Sequence, residues 1–168
     1  NEKDKAYVDV TDNLTFLQDN SFIWTSEKDG FNHIYLYDKT GKLKNQVTKG
    51  NWEVTSYYGF DEKTKTIFYQ STENGSINRD VYRIALDGKS KVRLSKNSGT
   101  NKATFSPNFQ FFINTFSSAA QPTVYSLNES KAGKEIKIIE SNQDLASKLK
   151  GYNLPSKEFF VLKTEKGN

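Results

Sequence analysis

An all-β chain, folded as a partial β-propeller of about three four-stranded antiparallel blades with one short helix near its C-terminus, is what three observations predict. First, short runs of alternating apolar and polar residues recur, each bounded by turn residues. Phe22, Trp24 and Ser26 alternate with Ile23, Thr25 and Glu27, the period of two of a half-buried strand. Second, 12 Phe and 9 Tyr far outnumber 2 Trp, which suits sheet faces that pack on other sheets. Third, the pattern repeats. Tyr35, Tyr82 and Tyr125 occupy matching phrases and lie 47 and 43 residues apart, the spacing of propeller blades. A single copy cannot bury both faces of its sheet, whereas stacked copies bury them against one another. A β-sandwich with chance similarity between hairpins is the competing architecture. Three matched positions per copy, in the same order, favour blades.

The elements follow in order. Residues 1–5 are polar and Ala6-Tyr7-Val8-Asp9-Val10 reads as extended. Leu14-Thr15-Phe16-Leu17 is a short strand and Gln18-Asp19-Asn20 a turn. The phrase from Asn20 to Glu53 sets the pattern: a strand through Ser26, a turn at Lys28-Asp29-Gly30, and a strand at His33–Tyr37. A turn at Asp38–Gly41 and a more polar strand from Leu43 to Thr48 complete it. Gly30 admits the positive φ of a tight turn. The second copy runs from Trp52–Phe60 through the turn Asp61–Lys65, Thr66–Thr72, Asp80–Leu86, the turn Asp87-Gly88-Lys89, and Val92–Leu94. The third runs from Ala103–Phe105 through Ser106-Pro107-Asn108, Gln110–Ser117 and Thr123–Leu127 to Glu135–Ile139. Three blades do not close a ring, so an apolar blade face is expected to lie open and to invite self-association through open blade edges. After Ser141 the period changes. Leu145 and Leu149 lie four apart in Gln143–Lys150, which predicts two helical turns stopped by Gly151. Asn153–Ser156 is a loop. Glu158–Lys163 reads as an isolated strand, the start of another domain. The expected division is therefore 1–141, propeller, and 142–168, an exit segment.

Composition narrows the function classes. The 168 residues suffice for one domain with a core or for a piece of something larger. Mean hydropathy is −0.76, and there is no apolar run of the ~18 residues that a membrane helix needs. The 24 Lys and Arg and 20 Asp and Glu leave a net charge of +4. The basic residues are scattered among acidic ones rather than forming a stripe, which argues against nucleic-acid binding. With no Cys there is no disulfide and no thiolate metal site. The chain starts at Asn1 and contains no Met, so it reads as an excised or processed segment.

The chemistry-bearing residues are sparse. A serine relay needs a histidine, and the one histidine, His33, opens a strand whose copies begin with Asp80 and Thr123. Such interchange suits a strand-edge residue, not a base. There is no Gly-x-Ser-x-Gly elbow. Asp38-Lys39-Thr40-Gly41 and Asp87-Gly88-Lys89 look like fragments of calcium loops but lack the remaining ligands, and turn chemistry accounts for them. Glu27, Glu53, Glu62 and Glu73 sit at strand ends and leave a carboxylate pair open. Trp24, Trp52 and the tyrosines could stack on sugars, yet their spacing is also what a blade core needs. Asn13, Asn74 and Asn128 begin glycosylation-type triplets. The residues therefore point to no catalytic, substrate-binding or metal site and to no cofactor.

The phrase Trp24-Thr25-Ser26-Glu27-Lys28-Asp29-Gly30-Phe31-Asn32-His33-Ile34-Tyr35 resembles the propeller of the dipeptidyl peptidase IV family, as does Val47-Thr48-Lys49-Gly50-Asn51-Trp52-Glu53-Val54. Phe105-Ser106-Pro107 looks like a blade opening in that family. Leu149–Pro155 and Glu158-Phe159-Phe160 resemble its exit into the peptidase domain. The resemblance covers nearly the whole chain from about Asn13. It implies a serine exopeptidase that removes N-terminal dipeptides with Pro or Ala second. In that family a propeller caps an α/β-hydrolase domain and restricts access to short or unstructured peptides. A glutamate pair in the propeller holds the substrate amine, but it lies in a motif upstream that no residue here matches. The catalytic Ser, Asp and His would lie beyond Asn168. The resemblance thus implies an inactive propeller portion whose partners are peptide substrates and the missing hydrolase domain, in a periplasmic or cell-surface protein. A non-enzymatic propeller module binding proteins or glycans is the alternative.

Overall fold

The computed structural model describes residues 3, 5, 7–152, 154–155 and 157–163. Of the expectations above, those at Asn1, Glu2, Asp4, Ala6, Asn153, Ser156 and Thr164–Asn168 lie outside the described residues. Among the described residues, twelve strands and one helix follow in chain order. They are β1 (Thr15–Phe16), β2 (Phe22–Ser26), β3 (His33–Tyr37), β4 (Leu43–Gln46), β5 (Val54–Asp61), β6 (Thr66–Ser71), β7 (Asp80–Ala85), β8 (Val92–Arg93), β9 (Thr100–Phe105), β10 (Phe111–Ser118), β11 (Gln121–Glu129), β12 (Glu135–Glu140) and α1 (Gln143–Lys150). They form three antiparallel four-stranded sheets in sequential order, β1–β4, β5–β8 and β9–β12. These are the blades of a partial β-propeller, blades 1 to 3.

Alternation decides which residues meet. In blade 1, Ile23, Ile34 and Leu36 turn toward blade 2 and pack on its Val54, Ile67, Tyr69, Tyr82 and Ile84. The opposite side of blade 2, with Phe68 and Val81, packs on Ala103 and Phe112 of blade 3. Burying each such side chain contributes roughly 1.5–3 kcal/mol. Consecutive tyrosines of β5 show the period most directly. The Tyr57 hydroxyl donates to Thr15 Oγ1 of blade 1 at 3.1 Å. The Tyr58 hydroxyl accepts the Ala103 N–H of blade 3 at 3.1 Å. Two adjacent residues thus pin two different neighbours, because successive strand side chains point to opposite faces.

The far side of blade 1 buries Ser26, His33 and Tyr35, whereas blade 3 keeps one uncovered side. That side carries Phe111, Ile113 and Tyr125, at 43%, 38% and 38% exposure. The outermost strand β12 is exposed along its whole length. The expected open apolar face is therefore present.

Two expectations need correction, and a third, the helix, is met. Tyr125 is not the counterpart of Tyr35 and Tyr82. Tyr82 packs toward blade 1, whereas Tyr125 opposes Thr115 on the open side of blade 3, and its neighbour Ser126 opposes Asn114 on the buried side. A repeat of 43 rather than 47 residues is offset by an even number but β11 is entered through an irregular pairing near Ser118, so the match in letters does not preserve the face. Thr123 shares that inverted parity and is not equivalent to His33. Second, Glu158–Lys163 forms no strand. Phe159, Phe160, Val161 and Leu162 are 67–91% exposed, and a strand without a partner has no ladder to hold it. Third, the helix spans the expected residues, but none of its side chains is buried, and Leu145 is exposed. Its Asn142 cap reaches back instead, donating through Nδ2 to Thr123 O at 2.6 Å.

Candidate functional site

The polar residues that the fold gathers lie where one blade passes to the next. At the first junction, His33 is fully buried at the start of β3. One ring nitrogen, Nδ1, lies 3.1 Å from Thr48 Oγ1 and the other, Nε2, 3.0 Å from the Gly50 carbonyl. A carbonyl only accepts, so Nε2 carries a proton and donates to Gly50 O, while Nδ1 and the Thr48 hydroxyl bond one another. That hydroxyl oxygen also accepts the Ile34 N–H at 2.9 Å. Trp52 meets the imidazole edge-on at 4.8 Å between centroids. The Thr48–His33 pair has the form of a nucleophile and its base, but both side chains are buried and both ring nitrogens are occupied. Its work is to tie β3 to the link that leads into β5.

The same device recurs 47 residues later with different chemistry. Asp80 replaces His33 and Ser95 replaces Thr48. Ser95 Oγ donates to Asp80 Oδ1 at 2.7 Å and accepts the Val81 N–H at 3.1 Å. Arg93 Nη2 and Asn101 Nδ2 also donate to Asp80 Oδ1, at 2.9 and 3.3 Å. Asn101 belongs to β9 of blade 3, and its Oδ1 accepts from Asn114 Nδ2 at 3.1 Å. Its carbonyl accepts from Gln70 Nε2 at 2.6 Å. Backbone bonds repeat as well. Val54 N–H donates to Asn32 O at the first junction and Asn101 N–H to Arg79 O at the second, each at 2.8 Å. Residue reading missed the Asp80 network. The signal that could have found it is a polar residue opening a strand with a hydroxyl fifteen positions later, present in both copies.

Electrostatics around this junction raises two phenols. Burial, with the charges of Asp80 and Glu73 beside it and Arg93 opposing, pushes Tyr82 up to about 12. Burial first, and then Glu73, drives Tyr69 up further. Burial also raises Tyr57 and Tyr58 on β5, and two carboxylates in turns move the other way. Hydrogen bonds from the Thr40 hydroxyl first, and then from backbone N–H groups, hold Asp38 below the usual carboxylate value. The Ser21 hydroxyl does the same for Asp19.

The four glutamates do not gather at one place, although Glu53 pairs through its backbone with Thr72, next to Glu73. Glu27 is exposed in the loop after β2, and Glu62 pairs with Lys65 in a turn at the opposite end of its sheet. Glu53 is half-buried in the link to β5, and Glu73 pairs with Lys91. Asp38 and Asp87 accept backbone N–H bonds within their own turns. Trp52 is half-buried; it stacks on Tyr69 at 6.4 Å, and Lys91 Nζ lies 5.6 Å from its ring centroid. Trp24 opposes Tyr35 across β2 and β3 and is half-buried. Asn74 is exposed, Asn13 donates to Thr25, and Asn128 is buried with its amide bonded to Ser126. Among the described residues no helix is long and apolar enough to cross a membrane.

Comparison with known proteins places this arrangement. Residues 1–123 match the family model described as the dipeptidyl peptidase IV (DPP IV) N-terminal region. Over 150 residues, 87% of this chain, it is 35% identical to a dipeptidyl peptidase 4 of Arthroderma otae, and equally to one of Trichophyton rubrum. It spans 19% of the length of each of these relatives. Among solved structures it is similar to Porphyromonas gingivalis dipeptidyl peptidase 4, with 47% identity and a TM-score of 0.84. That match covers 93% of this chain and 22% of the other.

Proposed function

Because the chain belongs to the dipeptidyl peptidase IV N-terminal region family, we propose that it is a non-catalytic propeller portion of a serine-type dipeptidyl peptidase. The parent removes N-terminal dipeptides with Pro or Ala in second position. The single observation that carries this reading is the 47% identity and 0.84 TM-score to the Porphyromonas gingivalis enzyme along 93% of the chain. Residues 1–141 form part of a rigid wall, and 142–168 lead toward an α/β-hydrolase domain that supplies nucleophile, base and oxyanion hole. The blades contribute size exclusion, and no residue here takes part in the chemistry. The polar side chains gathered at the blade junctions support that view, because their donors and acceptors are spent on the fold. The parent acts in the periplasm or at the cell surface.

The test uses the whole gene product and this segment side by side. The whole protein is expected to release the chromophore from a Gly-Pro anilide, and the segment to release none. The whole protein should also trim a short peptide while leaving the same N-terminal dipeptide intact on a folded domain. A whole protein without turnover would return the assignment to a non-enzymatic module that binds proteins or glycans. Turnover that stays with the segment through repurification would overturn the inert wall.

A further inference from the structure

Five buried polar side-chain atoms without a protein partner come from one blade: Tyr69 OH, Ser71 Oγ, Glu73 Oε2, Asp80 Oδ2 and Arg93 Nε. Strand register brings them to one side of blade 2. Ser71 opposes Asp80, Tyr69 opposes Tyr82, and Tyr82 opposes Arg93. Directly opposed residues of an antiparallel pair hold their Cβ atoms roughly 4.5–5.5 Å apart. Glu73 lies two positions beyond Ser71, and its charge is felt by both Tyr69 and Tyr82. Tyr69, Ser71 and Asp80 are buried to 0% exposure. An orphan that nothing satisfies carries the full cost of its lost hydration. Their convergence calls for a common partner.

The donor set identifies that partner. Two carboxylate oxygens can only accept. The Arg93 Nε–H can only donate, and the Tyr69 and Ser71 hydroxyls do both. The carboxylates of Asp80 and Glu73 are already balanced by Arg93 and Lys91. A metal cation would face the guanidinium, and an anion would face two carboxylates. Only a small neutral molecule that donates and accepts at once meets every member. We infer that blade 2 encloses a cluster of ordered water bridging Asp80 Oδ2, Ser71 Oγ, Glu73 Oε2, Tyr69 OH and Arg93 Nε. Buried waters of this kind make about three hydrogen bonds each, so two or more would be needed. The cluster completes the Asp80 junction. Asp80 Oδ1 holds blade 2 to blade 3 through Asn101, while Oδ2, through water, holds the ends of β6 and β8.

The deciding experiment is a crystal structure of the whole protein at a resolution that shows ordered water, with parallel crystals soaked in rubidium and in bromide. The expected result is two or more water peaks about 2.7–3.2 Å from these five atoms, with no anomalous signal at either soak. In a Ser71→Ala crystal, the water bound to that hydroxyl should vanish while the Asp80–Arg93 pair stays. A rubidium or bromide peak among the five atoms would overturn the proposal in favour of an ion site. A dry site whose groups bond one another directly would also overturn it.

Discussion

At the scale of single residues, His33 and Asp80 show how one structural task admits two chemistries. Each opens the third strand of its blade, and each binds a hydroxyl that in turn receives the next residue's N–H. The histidine completes its bonds with a carbonyl. The aspartate completes its own with Arg93 and Asn101. Sequence reading took His33 as a strand-edge residue from the fact that the copies differ. It could not see that burial, rather than an edge position, made the difference tolerable. The phenols beside Asp80 carry a testable consequence. Tyr82 has an ordinary value of 10.0 and is pushed up to about 12 in the fold. A raised folded value means that the native state holds its proton longer than the unfolded chain does. Its contribution to stability is therefore complete below pH 10 and is lost as pH rises from 10 through about 12. Urea midpoints of the whole protein should fall across that interval, and Tyr82→Phe should flatten the decline. An unchanged slope in the variant would show that the phenol does not sense this environment.

At the scale of elements, the turn between β11 and β12 is held against blade 2. Gly133 has φ +69°, and a Cβ there would lie 2.0 Å from the Leu94 carbonyl oxygen. Backbone, unlike a flexible side-chain tip, cannot swing aside. Gly133→Ala should therefore cost about 3 kcal/mol, combining overpacking with an unfavourable left-handed conformation. Denaturant unfolding of the whole protein would show it as a lower midpoint at constant slope, and a shift within error would mean that the turn moves freely. All twelve strands and the helix were legible from local pattern because period two, turn residues and the helical spacing of Leu145 and Leu149 are written locally. β1 shrank to Thr15–Phe16. What stayed hidden depended on neighbours. The side on which Tyr125 falls is fixed by the pairing of β10 with β11, not by its own phrase. The run Phe159–Leu162 has strand composition but no ladder. The Asp80 network joins residues on β6, β7, β8 and β9, and no short window contains them.

At the scale of the molecule, blade 2 packs against a neighbour on both sides, whereas blade 3 is covered on one. The bare side of blade 3 predicts that the 168-residue chain by itself associates in solution, sedimenting above its 19.2 kDa. Ile113→Lys with Tyr125→Lys should disperse it. A monodisperse monomer of the unaltered chain by light scattering would instead mean that this side is shielded. The covering of blade 2 has a further consequence in time. Each blade touches only its sequence neighbours, so opening can begin at either end at little cost and must cross both interfaces to reach the middle. β6 is buried at all six positions, Thr66 to Ser71. In heavy water its amides would be the last to take up deuterium, and the order of labelling along the chain would run inward from both outer blades, a clock whose slowest hand is one strand.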